Sequence, residues 1–179
     1  MLGLFGRKRH ERAGYALYTE AVRAARDPWF YTALGVPDTL DGRFELVGLH
    51  VFLIIDRLHA APEPGKALSQ AVFDAMFADM DFNLREMGVG DMSVGKRVKE
   101  MWEAFHGRAR AYEAALHDTA GETLADALAR NVWRGSAPDG AAAAMAALMQ
   151  RHAATLAAIP LDQFVAGSMT FAASQQCAA

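Results

Sequence analysis

From Phe44 to Leu58 the chain is apolar on almost every side of a helix. Phe44, Leu46, Val47, Leu49, Val51, Phe52, Leu53, Ile54, Ile55 and Leu58 leave no continuous polar stripe. A helix of this kind must be covered all round, so other helices have to pack about it. That predicts an all-α, single-domain bundle of about six to seven helices around a central apolar one. Asp38 or Thr39 offers an N-cap oxygen, and the helix should run to about Ala60. It is not a membrane span: its densest run, Leu46 to Ile55, contains His50, ends at Asp56-Arg57 and is about half the length a bilayer requires. His50 falls between Leu46 and Ile54 on the wheel, which predicts a buried, hydrogen-bonded histidine rather than a ligand.

A second constraint is the stretch from Ala71 to Leu116. Val72, Phe73, Met76, Phe77, Met80, Leu84 and Met87 make one helical stripe. Val94, Val98, Met101, Trp102, Phe105, Ala109, Tyr112 and Leu116 make another. Gly88 suits the left-handed residue just past a helix end, and Ser93 suits the N-cap of the next helix. So short a turn makes the two helices antiparallel neighbours. The charges near it oppose the helix dipoles: Asp79, Asp81 and Glu86 lie in the last turns of the first helix, and Lys96, Arg97 and Lys99 in the first turns of the second. Either the two clusters neutralise each other or one of them meets a partner.

The rest of the chain supplies the covering helices. Glu11 to Arg26 reads as a helix with Tyr15, Tyr18, Val22 and Ala25 inward, broken at Asp27-Pro28. Trp29, Phe30, Tyr31 and Leu34 follow as a short apolar segment, suited to the core or to gripping an apolar partner. Gly121 to Trp133 and Ala141 to Ala158 are helices divided by a loop at Ser136–Gly140. Pro160 ends the second, and Leu161 to Phe171 adds one short helix. Residues 1–12 read as a flexible basic tail, 13–172 as the helical domain and 173–179 as a C-terminal tail. Leu2, Leu4 and Phe5 beside Arg7, Lys8 and Arg9 also suit weak contact with an anionic membrane.

The chain has 179 residues, is 53% hydrophobic and carries a net charge of −3, which points away from DNA. Its single cysteine, Cys177, leaves no internal disulfide and fits a reducing compartment. Gly90-Asp-Met-Ser-Val-Gly95-Lys96 approaches a phosphate-binding loop, but Arg97 stands where a Mg²⁺-holding hydroxyl is needed and a helix precedes it instead of a strand. Asp56/His59 and Glu103/His106 have the carboxylate-x-x-histidine spacing of di-metal helical bundles. A metal-dependent helical enzyme is therefore the alternative reading, although Glu103 lies off the inward stripe. No catalytic motif is visible, and no cofactor is expected. The nine methionines, among them Met76, Met80, Met87, Met92, Met101 and Met145, supply adaptable apolar surface of the kind that binds varied hydrophobic helices.

Two stretches carry a resemblance. FADMDFNLREMGVGDMSVGKRVKEMWEAF (77–105) and LGVPDTLDGRFELVGLHVFL (34–53) resemble the ubiquinol–cytochrome c chaperone family, and the likeness extends over roughly Tyr15 to Trp133. It implies a chaperone that binds newly made cytochrome b during assembly of the ubiquinol–cytochrome c reductase, respiratory complex III, with no reaction and no ATP. Mitochondrial members also meet the ribosome and work with a small partner subunit. The N-terminus looks too short for mitochondrial targeting, which favours a bacterial, cytoplasmic protein with peripheral contact at the inner membrane face. The client-binding surface is expected at Asp79, Phe82, Asn83, Arg85, Glu86 and Lys96, where polar groups border apolar patches, with Trp29, Phe30 and Tyr31 as a second apolar contact.

Overall fold

The computed structural model describes residues 2–117 and 121–174. Among the described residues there are eight helices and no strands: α1 (Leu2–Ala25), α2 (Pro28–Thr32), α3 (Leu40–His59), α4 (Gly65–Glu86), α5 (Asp91–His117), α6 (Leu124–Val132), α7 (Ala141–Ala158) and α8 (Leu161–Val165). Two are only five residues long, so the all-α bundle has six full helices.

The all-round apolar helix is the centre. α3 touches α1, α4, α5, α6 and α7, and Leu46, Leu49, Val51, Leu53, Ile54 and Leu58 are buried almost completely. Each such side chain contributes about 1.5–3 kcal/mol by leaving water. Thr39 is the N-cap; its hydroxyl accepts from the Gly42 amide. His50 is buried as expected, and its Nδ1–H donates to the Leu46 carbonyl at 2.7 Å.

α1 lies against α4, α3 and α8. The closest approach is at Gly14, where a Cβ would stand 2.6 Å from the carbonyl carbon of Ala71, so only glycine lets the two helices touch there. The inward stripe of α1 is Ala13, Leu17, Tyr18, Ala21 and Ala25, whereas Tyr15 is exposed. The aromatic residue suggested a face, but the tight α1–α4 packing selects the small residues instead. α1 also begins at Leu2, well before the Glu11 that apolar spacing gave.

α4 and α5 form the expected antiparallel pair, joined through Gly88 at φ +78°. Ser93 is not the cap. α5 starts at Asp91, and the Ser93 amide already donates to the Gly90 carbonyl inside the first turn. Gly95 has open space around it and serves no close helix approach. Met87 and Trp102, expected in the packing stripes, are 53% and 45% exposed, because each stripe runs past the surface that covers it.

Thr123 caps α6 by accepting from the Asp126 amide. α8 stops at Val165 rather than near Phe171, since Gly167 turns the chain at φ +74°. The extended residues that follow place Phe171 edge-on to the His50 ring, 5.0 Å between centroids, and Ser174 donates to Asp27. The remainder of the expected C-terminal tail, including Cys177, lies outside the described residues.

Candidate functional site

The free end of the α4–α5 hairpin is self-satisfied in its backbone. The Met87 amide donates to Asn83, Gly88 to Arg85 and Val89 to Leu84, which closes the carbonyls that a helix end leaves open. The left-handed Gly88 makes this closure possible. The turn is therefore a built corner, and it holds nearby side chains in place.

Arg85 spans the corner. Its guanidinium donates to Asp81 at 2.7 Å on its own helix and to Asp91 at 2.5 Å, the first residue of α5. The hydrogen bond from Arg85 holds the Asp81 carboxyl below its ordinary range, and the same bond raises Arg85. All three groups are solvated, so the triad orients the corner more than it stabilises it.

The two charge clusters do not neutralise each other. Lys96 faces Glu100 at 3.9 Å and Lys99 faces Glu103 at 3.7 Å, each four residues along α5. Asp81 takes Arg85. Asp79 points inward and accepts from the Tyr18 hydroxyl of α1 at 2.6 Å. Partners one turn away on the same helix are simply nearer than those across the turn. Glu86 and Arg97 have no ion pair among the described residues.

The expected site residues thus separate. Asp79 and Asn83 are tied within the chain: Asn83, itself exposed, donates back to the Asp79 carbonyl of its own helix at 2.8 Å, and the Asp79 side chain ties α4 to α1. Phe82 is 60% exposed, and Met87 and Met92 near the turn are also open, Met92 almost fully. Arg85, Glu86 and Lys96 are exposed beside them. Phe30 belongs to the core, edge-on to His50 at 5.5 Å. Trp29 and Tyr31 are half-buried, and the Tyr31 hydroxyl donates to the Ala25 carbonyl. The structure does not bring this aromatic run together with the hairpin end as one open grip.

The carboxylate-x-x-histidine pairs do not assemble either. Asp56 is held by His117 at 3.0 Å, Glu103 by Lys99, and His106 Nδ1–H donates to the Trp102 carbonyl at 2.9 Å. Among the described residues no three His, Cys, Asp or Glu side chains are placed to hold a metal ion. His59 and His106 instead line an aromatic groove of about 460 Å³ between α3, α4 and α5, floored by Phe52, Phe73 and Phe105, with Trp102 tilted against His106 at 3.9 Å between ring centroids.

Two pairings of buried polar residues could not be read from the sequence. Glu45, in the apolar run of α3, is buried against Arg108 of α5 at 2.5 Å. Burial pushes its carboxyl up to about 7, against the pull of Arg108. His152 of α7 is buried 5.4 Å from the His50 ring, with Phe171 packed on both. Burial lowers His50 to about 4 and His152 to about 3. These residues lie far apart along the chain, and only a polar residue amid an apolar stripe hinted at Glu45.

No helix among the described residues is long and apolar enough to cross a membrane. Residues 32–171 match the Ubiquinol-cytochrome C chaperone family. The chain is 26% identical over 121 residues to ubiquinol-cytochrome-c reductase complex assembly factor 1 of Xenopus laevis, covering 67% of this chain and 60% of that protein. It is 27% identical over 123 residues to the factor of the same name from Mus musculus, covering 68% and 40%. The match thus spans less than two thirds of either vertebrate protein. The crystal structure of the Cbp3 homolog from Brucella abortus superposes with a TM-score of 0.83 at 35% identity, over 98% of both chains. That agreement in fold and sequence across the hairpin and the central helix places the chain in the ubiquinol–cytochrome c chaperone family.

Proposed function

We propose that this protein is an assembly chaperone for the ubiquinol–cytochrome c reductase, and that it binds newly made cytochrome b. It acts by binding, without a reaction of its own. The observation that carries the reading is the exposed apolar end of the α4–α5 hairpin: Phe82, Met87 and Met92 stand in water beside Arg85, Glu86 and Lys96. Apolar anchors with a polar border suit a transient interface. Methionine adapts to varied partners, as a client that is later released requires. Cytochrome b, a membrane subunit, offers apolar helices to such a surface. The basic stretch Arg7, Lys8 and Arg9 suits peripheral contact with the anionic membrane in which that client resides.

The test is affinity capture from native membranes with the wild-type protein and with Phe82→Ser/Met92→Ser. Wild type should enrich cytochrome b. The variant should capture several-fold less with an unchanged melting temperature, since both side chains are solvated. Equal capture by the two proteins would move the client surface elsewhere, and the aromatic groove beside Trp102 is then the next surface to vary. Absence of cytochrome b from the wild-type capture would remove the client. Ribosomal proteins or a small partner subunit would appear in the same capture if this chain engages them.

A further inference from the structure

After α8 the chain runs on as a strap, residues 168–174, with neither helix nor strand. The Ser168 amide donates to the Gln163 carbonyl at 2.9 Å. From Met169 to Ser174 no backbone hydrogen bond follows among the described residues. Side chains alone hold this part: Met169 is buried, Phe171 packs on His50 and His152, and the Ser174 hydroxyl donates to Asp27. A segment with so few ties opens well below the free energy of global unfolding. Phe171 also covers two histidines whose hydrogen bonding is incomplete. Its ring meets His152 at 4.9 Å and His50 at 5.0 Å between centroids. His152 Nδ1 and His50 Nε2 have no hydrogen-bond partner among the described residues. An aromatic ring offers them at most a weak N–H···π contact in place of water. A cavity of about 590 Å³ lies beside the strap, and His152, Phe30 and Phe171 share its wall with Arg23, Arg26 and Asp27. Lifting Phe171 opens His152 to that cavity. His50 stays beneath Phe30, 5.5 Å between centroids, with its Nδ1–H on the Leu46 carbonyl.

We propose that the strap is a proton-operated latch: it closes over a neutral His152 and lifts as that ring takes up a proton from the cavity. In the closed state burial holds His152 at about 3, and the neighbouring His50 and Arg151 push the same way. From α1, Arg23 and Arg26 reach the same cavity, with Arg23 already paired to Glu20. Asp27, the acid of that wall, is engaged by the Ser174 hydroxyl and the Trp29 amide. The closed ring therefore has no free carboxylate of the lining to stabilise its charge. In the open state water reaches the ring, which returns to its ordinary 6.5. Below 6.5 the open form then binds one proton more than the closed form, so opening grows as pH falls and levels off above 7.5. One such histidine raises the ratio of open to closed about tenfold between pH 7.5 and 5.5. The latch is independent of the client's identity, because it rests on the strap and the two histidines alone.

The experiment uses the full chain with Met169→Cys and Cys177→Ser, which leaves one thiol, at a buried position of the strap. Its labelling rate with dithiodipyridine is divided, at each pH, by the rate for a free peptide of the same strap sequence. That ratio reports the open fraction and cancels the thiol's own titration. It should rise about tenfold from pH 7.5 to 5.5 and stay unchanged in low urea, since local opening exposes little surface. Adding Phe171→Ala should raise it about tenfold or more at pH 7.5, because the latch has lost its main contact. Adding His152→Leu should abolish the pH dependence, and so should His152→Gln, which keeps a polar side chain in the buried position. A ratio constant across pH overturns the proposal. So does the same tenfold rise in either His152 variant, or a labelling rate that climbs with urea as global unfolding does.

Discussion

The Tyr18 hydroxyl of α1 donates to Asp79 of α4 at 2.6 Å, joining residues 61 positions apart. Tyr18 is buried, and burial together with this hydrogen bond raises its hydroxyl well above the ordinary tyrosine range. The bond locks the register of the α1–α4 pair and orients Asp79 away from the surface it borders. Asp79→Ala would leave a buried hydroxyl unpaired and should destabilise by about 1–3 kcal/mol. A domain of this size loses roughly 2–4 °C per kcal/mol. Tyr18→Phe/Asp79→Ala should melt higher than the sum of the single losses implies. Unchanged melting of Asp79→Ala would show that the bond adds nothing to stability.

Stability should fall on mild acidification, and the buried groups set the slope. His50 and His152, held at about 4 and 3 by burial, stay neutral in the folded chain below their ordinary 6.5. The unfolded chain binds protons at both. Glu45 works the other way: held near 7 instead of 4.5, it keeps in the folded state a proton that the unfolded chain releases. Between pH 6.5 and 4.5 the unfolded state therefore gains two protons against one retained by the fold. Its excess approaches one proton, and stability should drop by up to about 1.4 kcal/mol per pH unit. Near pH 7 the proton kept by Glu45 in the fold and the fraction still bound by the two histidines in the unfolded chain nearly cancel, so stability should level off there. Urea titrations across pH measure this directly. His152→Phe should flatten the acid-side slope almost to zero; a slope as steep as wild type would take His152 out of the effect.

Two glycines should respond oppositely to alanine. Gly14→Ala would drive a Cβ to 2.6 Å from the Ala71 backbone, which neither helix can yield without moving. A loss of about 1–3 kcal/mol is expected. Gly95 meets nothing within 4 Å inside α5, so Gly95→Ala should stabilise by up to about 1 kcal/mol through helix propensity alone. Thermal melts of the two proteins decide it, and a stable Gly14→Ala would disprove the close α1–α4 approach.

Charge reversals at the hairpin should add rather than couple. Asp81 is held by Arg85 and Lys96 faces Glu100, with no pair between the clusters. Asp81→Lys and Lys96→Glu should each cost about 0.2–0.5 kcal/mol, and the double variant should cost their sum. Rescue in the double variant would place the clusters in contact.

The sequence by itself determined the helical architecture and its centre. A run apolar on every side has one stable solution, complete cover by neighbours, so α3 and its buried His50 could be read from spacing alone. The hairpin was legible for the same reason, with Gly88 marking the corner that only a residue without Cβ enters freely. Local signals failed where the choice lay between equivalent faces: Tyr15 suggested one face of α1, yet Gly14 and the alanines packed because α4 came close. The polar groupings were decided by tertiary structure alone. Glu45 with Arg108, Tyr18 with Asp79, and His50 with His152 each join different helices. Their partners are fixed by helix placement, and no spacing rule along the chain encodes a distance between helices. For the same reason the charged corner read as two opposing clusters, when Asp79, Asp81, Lys96 and Lys99 each had a nearer partner in the folded chain. Met87 and Trp102 carried the helical pattern without revealing that they would be left uncovered; that depends on where the neighbouring helices stop.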